Sequence, residues 1–349
     1  MALRVVHDEH GHRLGGGGPI EELANRYLEH MTARNFSLAS VRAYAFDLLN
    51  FSRFLADKGV ALGDVVPTDL FDYLDWQQEQ GARSGAKVVA ISARRRPAPS
   101  TMNRRIAAVR GLFEYAVIAG ARDDNPVPAA RRATGLRPKA RGMLGHIGPR
   151  RPSTGGRLVR QPSRLPESLE PAEVAAFVAD LETHRDRAMV LSMLLGGLRA
   201  AEVRGLRLAD VDMGLRQVKV LGKGGRERVV PIDAVFFGEL AAYLRAERPR
   251  GCSTPECFVV LRGPTTGKAM TEAGMRRIFR THRARSGAGR VRPHRLRHTY
   301  GTELAAAGID LLVLRELMGH VSPETTAGYV HLSSETVAAE FARAREASR

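Results

Sequence analysis

The sequence predicts a mainly α-helical protein with one small β-sheet, divided into two domains. Three observations carry this prediction. Apolar residues recur at helical spacing in both halves of the chain, as at Ile20, Leu23, Tyr27 and Met31 and again at Val174, Phe177, Val178 and Leu181. Only residues 217–232 change to strand-like alternation. Between the halves, residues 126–164 hold ten Lys or Arg and no Asp or Glu, with many Pro and Gly. Such a composition predicts a flexible linker without a core of its own.

From the amino terminus, residues 1–19 read as a disordered tail, because Gly15 to Gly18 follow a stretch with no apolar period. His7, His10 and His12 within it are read as solvated rather than as metal ligands. Residues 20–125 form a helical domain. Val41, Tyr44, Leu48, Phe51 and Leu55 line one face of its second helix. Thr68 is the expected N-cap of a third helix carrying Leu70, Tyr73 and Leu74, and Ser100 that of a fourth carrying Ile106, Val109, Phe113 and Ala116. The stretch from Gly81 to Pro99 interrupts this domain. Its Arg94, Arg95 and Arg96 suit either a solvated loop or a phosphate contact.

The second domain spans 165–349. Pro171 opens its first helix. The segment Asp186 to Leu195 is apolar on most sides and is expected at the centre of the core. Val218 and Val220, then Arg228 to Ile232, flank Gly222-Lys223-Gly224-Gly225, the pattern of a β-hairpin with a glycine-rich tip. Helices resume near Thr271, and Gly319 caps a helix from Leu311 to Met318. Ser322 and Pro323 then start a short helix that carries Tyr329.

The chain has 349 residues and a formal net charge of +17, with arginine far in excess of lysine. This favours a polyanionic partner, and planar guanidinium groups suit bidentate phosphate recognition. The longest apolar run, from Ala188 to Leu198, is too short to span a bilayer and is broken by Ser192 and two glycines. No secretory core follows the first residues, so a cytoplasmic, nucleoid-associated protein is expected. Cys252 and Cys257 are read as two unpaired thiols flanking a turn at Pro255, not as a zinc site.

Six residues in the second domain suggest chemistry: Arg199, Lys223, His294, Arg297, His320 and Tyr329. Arg199 follows the buried helix, and Glu202, three residues on, can hold its fork. Lys223 at the hairpin tip can protonate a leaving oxygen. Pro293 places His294 and Arg297 on the first turns of one helix, whose free N–H groups also attract phosphate. Tyr329 supplies an oxygen nucleophile. Taken singly, each has an ordinary reading: a surface ion pair, an exposed turn lysine, a half-buried tyrosine. Together they suit cleavage of a phosphodiester through a covalent phosphotyrosine, with no metal and no cofactor.

These segments resemble the tyrosine recombinase (phage integrase) family, and its Xer-like members in particular. GLRAAEVRGL resembles the family's first arginine box, LGKGGRERVVPI its hairpin lysine box, PHRLRHTYGTEL its His-x-x-Arg box, and LMGHVSPETTAGYVHL the box with the last histidine and the tyrosine. More loosely, SLASVRAYAFDLLNFSRFL and STMNRRIAAVRGLFEYAV resemble its DNA-gripping helical domain. The resemblance implies an N-terminal helical core-binding (SAM-like) domain and an α+β catalytic domain. It implies that Tyr329 attacks the scissile phosphate, that Arg199 and Arg297 stabilise the phosphorane, and that Lys223 is the general acid. His294 would handle protons, His320 would donate to a phosphate oxygen, and Glu202 would support. The expected partner is double-stranded DNA, contacted through Arg94, Arg95, Arg96, Arg104, Arg105, Arg131 and Arg132 and bound by a homotetramer on paired sites. No membrane and no small-molecule substrate is expected. The rivals are a type IB topoisomerase, which shares the cleavage chemistry, and a relative that only binds DNA. The stretch 81–99 and the long linker 126–164 depart from the family pattern.

Overall fold

The computed structural model describes residues 4–8, 11–80, 96–128, 158–160, 168–222 and 225–319. The chain divides into two compact units, Met1–Ser163 and Arg164–Arg349.

The first unit opens with a feature the sequence reading did not anticipate. Residues 1–19 are not a disordered tail throughout. Strand β1 (Arg4–Asp8) pairs antiparallel with β2 (Gly11–Gly15), with Val5 opposite Leu14 and His7 opposite His12. The physical reason is docking. Leu14 is 2% exposed in the core, and its backbone is held on both sides by one side chain: its N–H donates to Asn25 Oδ1 at 2.7 Å, and Asn25 Nδ2 donates to its carbonyl at 3.0 Å. A lone two-stranded hairpin is marginal in water; here helices supply the missing apolar surface.

Those helices are α1 (Pro19–Ala33), α2 (Leu38–Lys58), α3 (Pro67–Gln80) and α4 (Pro99–Ile118). Leu23, Tyr27 and Met31 of α1 and Val41, Leu48, Phe51 and Leu55 of α2 turn inward as their spacing requires. Two apolar clusters result. One joins Leu14 to α1, α2 and the distal part of α4; the other gathers Phe51, Phe54, Leu70, Tyr73, Ile106 and Phe113. Phe51 meets Tyr73 edge-on at 5.1 Å between ring centroids.

Two predicted caps are displaced. Thr68 and Ser100 lie inside α3 and α4, because Pro67 and Pro99 occupy the first helical positions. A proline there forfeits only an N–H that the helix leaves unbonded, and its fixed φ already suits the first turn. The linker reading also needs correction at both ends. Val127 is buried in the second cluster, and Leu158 and Val159 pack against it. Asn103 Nδ2 donates to the Val159 carbonyl at 2.8 Å, and the Val159 N–H donates back to Oδ1 at 3.0 Å. Both ends of the 126–164 stretch thus fasten to the helical unit. Residues 129–157 and 161–164 lie outside the described residues, as do 81–95 of the predicted insertion.

In the second unit, α5 (Pro171–Ala179) and α6 (His184–Leu195) precede a short helix, α7 (Ala200–Gly205). Strands β3 (Val211–Asp212), β4 (Gln217–Leu221) and β5 (Glu227–Pro231) then form an antiparallel sheet in the order β3-β4-β5. The hairpin is as predicted, with Val220 opposite Arg228 and Val218 opposite Val230; β3 adds a third strand. Next comes α8 (Ala234–Ala246), which the sequence reading passed over although Asp233 caps it and Phe236, Phe237, Leu240 and Tyr243 line its buried face. The remaining helices are α9 (Glu272–Ser286), α10 (Pro293–Ala306) and α11 (Leu311–Met318). Helix α6 is central, with Ala188 through Met193 all buried. Cys252 and Cys257 are free thiols. Among the described residues, no helix is long and apolar enough to cross a membrane.

The docking of the amino-terminal hairpin is testable. Leu14→Ala should destabilise the first unit by about 2–4 kcal/mol, read by urea unfolding, and should speed amide exchange in residues 4–15. Unchanged exchange there would show that the hairpin contributes nothing.

Candidate active site

The site grows from the end of α6. The chain turns sharply through Gly196 and Gly197, and the Leu198 N–H donates back to the Ser192 carbonyl at 3.2 Å. Gly197 has φ +60, and a Cβ there would lie 2.4 Å from the Tyr300 ring. Both the backbone conformation and the close approach demand glycine. This turn packs against Tyr300 of α10 and Met318 of α11 and delivers Arg199.

Arg199 is held three ways. Its N–H donates to Glu202 Oε2 at 2.8 Å and its Nη1 to Glu202 Oε1 at 2.7 Å, as the spacing predicts. Its Nη2 donates to the Gly319 carbonyl at 2.9 Å. About a third of the side chain stays exposed. Arg297, from the second turn of α10, is buried and donates Nη1 to the Gly197 carbonyl and Nη2 to the Met318 carbonyl. Both predicted arginines therefore converge on the same place, the carboxyl end of α11. Helix ends leave carbonyls without intrahelical partners and carry partial negative charge, which is why guanidinium groups settle there.

A third arginine completes the cluster, and the sequence reading missed it. Arg228 of β5 donates Nη1 to Glu202 Oε1 at 2.9 Å, Nη2 to Glu202 Oε2 at 2.8 Å and Nε to the Leu317 carbonyl at 2.9 Å. Its signal was in the alternation of β5. Arg228 and Val230 share the inward face, and a charge placed inward must be paired. Burial disfavours the charged form of Glu202, but the hydrogen bonds from Arg228 and from the Arg199 backbone and side chain prevail and hold it at about 2.

His294 lies exposed on the first turn of α10, one turn before Arg297 and opposite His298, whose ring centroid is 6.2 Å away. Partial burial, then the charges of Arg295 and Arg292, lower its pKa, so the imidazole is neutral near pH 7 and able to accept a proton. Lys223 lies outside the described residues, but the base of its turn does not. The Gly222 N–H donates to the Arg226 carbonyl at 2.7 Å, and a Cβ on Gly222 would lie 3.6 Å from Arg228 Nη1. The lysine turn thus springs from beside the arginine cluster. His320 and Tyr329 also lie outside the described residues; His320 directly follows Gly319.

Of the predicted DNA contacts, Arg96 is exposed just before α4. Arg104 and Arg105 face the buried Asp47: Arg104 Nη1 donates to Oδ2 at 2.7 Å, and Arg105 Nη1 donates to Gln77 Oε1 at 3.0 Å with its Nε 3.9 Å from Asp47 Oδ1. Arg104 keeps more exposed surface than Arg105. Arg94, Arg95, Arg131 and Arg132 lie outside the described residues. Among the described residues no group of three or more His, Cys, Asp or Glu is placed to hold a metal.

What the arrangement offers chemically is a set of rigid, permanently charged donors next to a neutral imidazole. Carbonyl oxygens occupy donors that an anionic phosphate oxygen would engage more strongly. Comparison with known proteins agrees with that reading. Residues 167–336 match the phage integrase family, and residues 24–120 match the phage integrase N-terminal SAM-like domain. The chain belongs to the phage integrase family and is a Xer-like tyrosine recombinase. It is 32% identical over 308 residues to the tyrosine recombinase XerC of Mycobacterium bovis (strain BCG / Pasteur 1173P2), covering 88% of this chain and 93% of that one. In fold it is similar to the Tn1549 transposon integrase in complex with transposon right end DNA, at a TM-score of 0.65 and 16% identity over 93% of this chain and 99% of that one. It is also similar to the XerH site-specific recombinase bound to a palindromic difH substrate, at a TM-score of 0.62 and 20% identity over 90% and 82%.

The paired carboxylate makes stability pH-dependent. Glu202 titrates at about 2 when folded against about 4.5 otherwise, so its contribution is complete above pH 4.5 and is lost as pH falls toward 2. The full span corresponds to about 3 kcal/mol. Urea unfolding at pH 6, 4 and 3 should show a steep acid loss for the wild type and a shallower one for Glu202→Gln. Equal slopes would show that Glu202 is not held ionised by the arginines.

Proposed function

We propose that the chain is a site-specific DNA recombinase that cuts and rejoins strands through a 3′-phosphotyrosyl intermediate. The observation that carries this reading is the convergence of Arg199 and Arg297, with Glu202 as anchor, on the end of α11. The next residue in the chain is His320, and Tyr329 follows within one short segment.

The Tyr329 hydroxyl oxygen bonds to the scissile phosphorus as the bond from phosphorus to the 5′ oxygen breaks. Arg199 and Arg297 bind the non-bridging oxygens, whose charge rises in the phosphorane. His294, neutral at working pH, accepts the tyrosine proton, and Lys223 donates one to the departing 5′ oxygen. His320 donates to a phosphate oxygen. Attack by a 5′ hydroxyl from a partner strand reverses each step, restores the phosphodiester and frees the tyrosine. The bond energy stays in the phosphotyrosyl link, so neither ATP nor metal is called for.

The surplus of basic residues suits the DNA backbone, and phosphate contacts supply affinity with a steep salt dependence rather than sequence choice. Arg94, Arg95, Arg96, Arg104, Arg105, Arg131 and Arg132 are proposed for that role, with Arg104 and Arg96 the better exposed of the described ones. Four protomers on two paired sites would exchange strands, and the enzyme would act on the cytoplasmic nucleoid.

A nicked suicide duplex tests the reading, its site recovered by selecting duplexes that the wild type captures covalently. In EDTA the wild type should form a protein–DNA adduct and Tyr329→Phe none. Arg297→Lys should slow adduct formation by about 10²–10³-fold, since an ammonium cannot reproduce the fork. An adduct that persists without the Tyr329 hydroxyl, or one that needs added metal, would sink the proposal. A recombination assay with two cognate sites separates strand exchange from relaxation of supercoils.

A further inference from the structure

We infer that Arg228 is a positioning residue of this reaction: it ties the lysine hairpin, Arg199 at the head of α7 and the end of α11 into one frame, and it leaves Arg199 with charge to spare for phosphate. The inference rests on the phosphotyrosyl reading above and goes beyond it, because neither the six proposed catalytic residues nor Glu202 explains why an arginine is buried on β5.

Every nitrogen of the Arg228 guanidinium is used. Two form a parallel fork on the Glu202 carboxylate, and Nε reaches the Leu317 carbonyl. The side chain is 5% exposed and that of Glu202 4%. It also lies against the cap of α11. Gly319 has φ +57, and a Cβ there would meet Arg228 Nη1 at 3.0 Å and its Cζ at 3.2 Å. Arg228 therefore touches the last described residue before His320, while its own strand begins just past the turn that carries Lys223.

The charge balance gives the second part of the inference. Glu202 accepts four hydrogen bonds, two from Arg228 and two from Arg199, which fills the capacity of a carboxylate. Arg199 and Arg228 set against Glu202 make two positive charges and one negative, a surplus of one. Without Arg228, Glu202 is left to Arg199 alone. The carboxylate would then cancel the charge of the one arginine in the cluster that is partly exposed, and α11 would lose its link to the hairpin. Arg228 does not reach substrate; it acts through Glu202, Arg199 and the backbone of α11.

The test uses the full-length protein, the suicide duplex and two readouts: affinity by fluorescence anisotropy and single-turnover adduct formation at saturating protein. Arg228→Met should bind the duplex within about threefold of wild type and form adduct about 100-fold more slowly. Arg228→Lys keeps the charge without the fork and should fall about tenfold. The double variant Arg228→Met with Glu202→Gln, which frees Arg199 from an uncompensated carboxylate, should recover about tenfold over Arg228→Met alone. A purely structural role predicts no such recovery in rate at unchanged affinity. Arg228→Met reacting at the wild-type rate overturns the inference, and so does a double variant no faster than the single one. Should Arg228→Met fail to fold, Arg228→Lys decides: a rate within twofold of wild type overturns it. A wild type that forms no adduct defeats the functional reading and this role with it. A reactive wild type with unimpaired Arg228 variants defeats this role alone.

Discussion

One buried carboxylate organises the catalytic half of this molecule. Glu202 receives two arginines that arrive from different elements, Arg199 from the N-cap of its own helix α7 and Arg228 from β5. Both arginines also donate to carbonyls of the same helix end. Arg297 adds a third guanidinium to that end from α10. Consecutive carbonyls of Leu317, Met318 and Gly319 thus each accept from a different arginine. The end of a helix, ordinarily its least satisfied part, is here among the most firmly held pieces of backbone in the unit.

Such a cluster is a poor device for stability as such. Removing a carboxylate and two guanidiniums from water costs several kcal/mol per ion, and the gain on pairing roughly offsets that cost. Its value lies in geometry. A bidentate fork fixes direction as well as distance, and an interior location keeps salt from screening it. The surrounding frame is built to match. Helix α6 is buried on most sides, and the turn at Gly197 brings backbone into contact with Tyr300, where any side chain would intrude. Proline at the head of α10 starts that helix at a defined residue, so His294 and Arg297 fall on one face by simple periodicity.

The basic surplus of the chain divides into two populations. Some arginines are internal fasteners, such as Arg228 and Arg297 in the second unit. Others, such as Arg96, stay at the surface. Net charge alone does not distinguish them. An arginine-rich composition signals a polyanionic partner, yet part of it serves to hold helix ends and buried acids inside the protein.

Much of the architecture was legible because it depends on local rules. The hairpin at 217–232 follows from alternation and a glycine-rich tip, the cap at Gly319 from its place after a helical period, and the Arg199–Glu202 pair from a spacing of three. Helix α8 was equally legible, since Asp233 and the inward residues 236, 237, 240 and 243 carry the signal. Other features were not local. Leu14 is buried only because Asn25 and two helices receive it, and glycine-rich sequence around it reads as a tail. The ends of the 126–164 stretch look like linker until Asn103 bonds Val159 and Val127 enters the core. Sequence by itself determined the elements, the reactive residue types and their order, because helix caps, strand alternation and turn glycines act over a few neighbouring residues. Tertiary structure alone decided that Arg199, Arg228 and Arg297 meet at one helix end, because contacts between residues a hundred positions apart depend on how helices pack and not on anything written beside them.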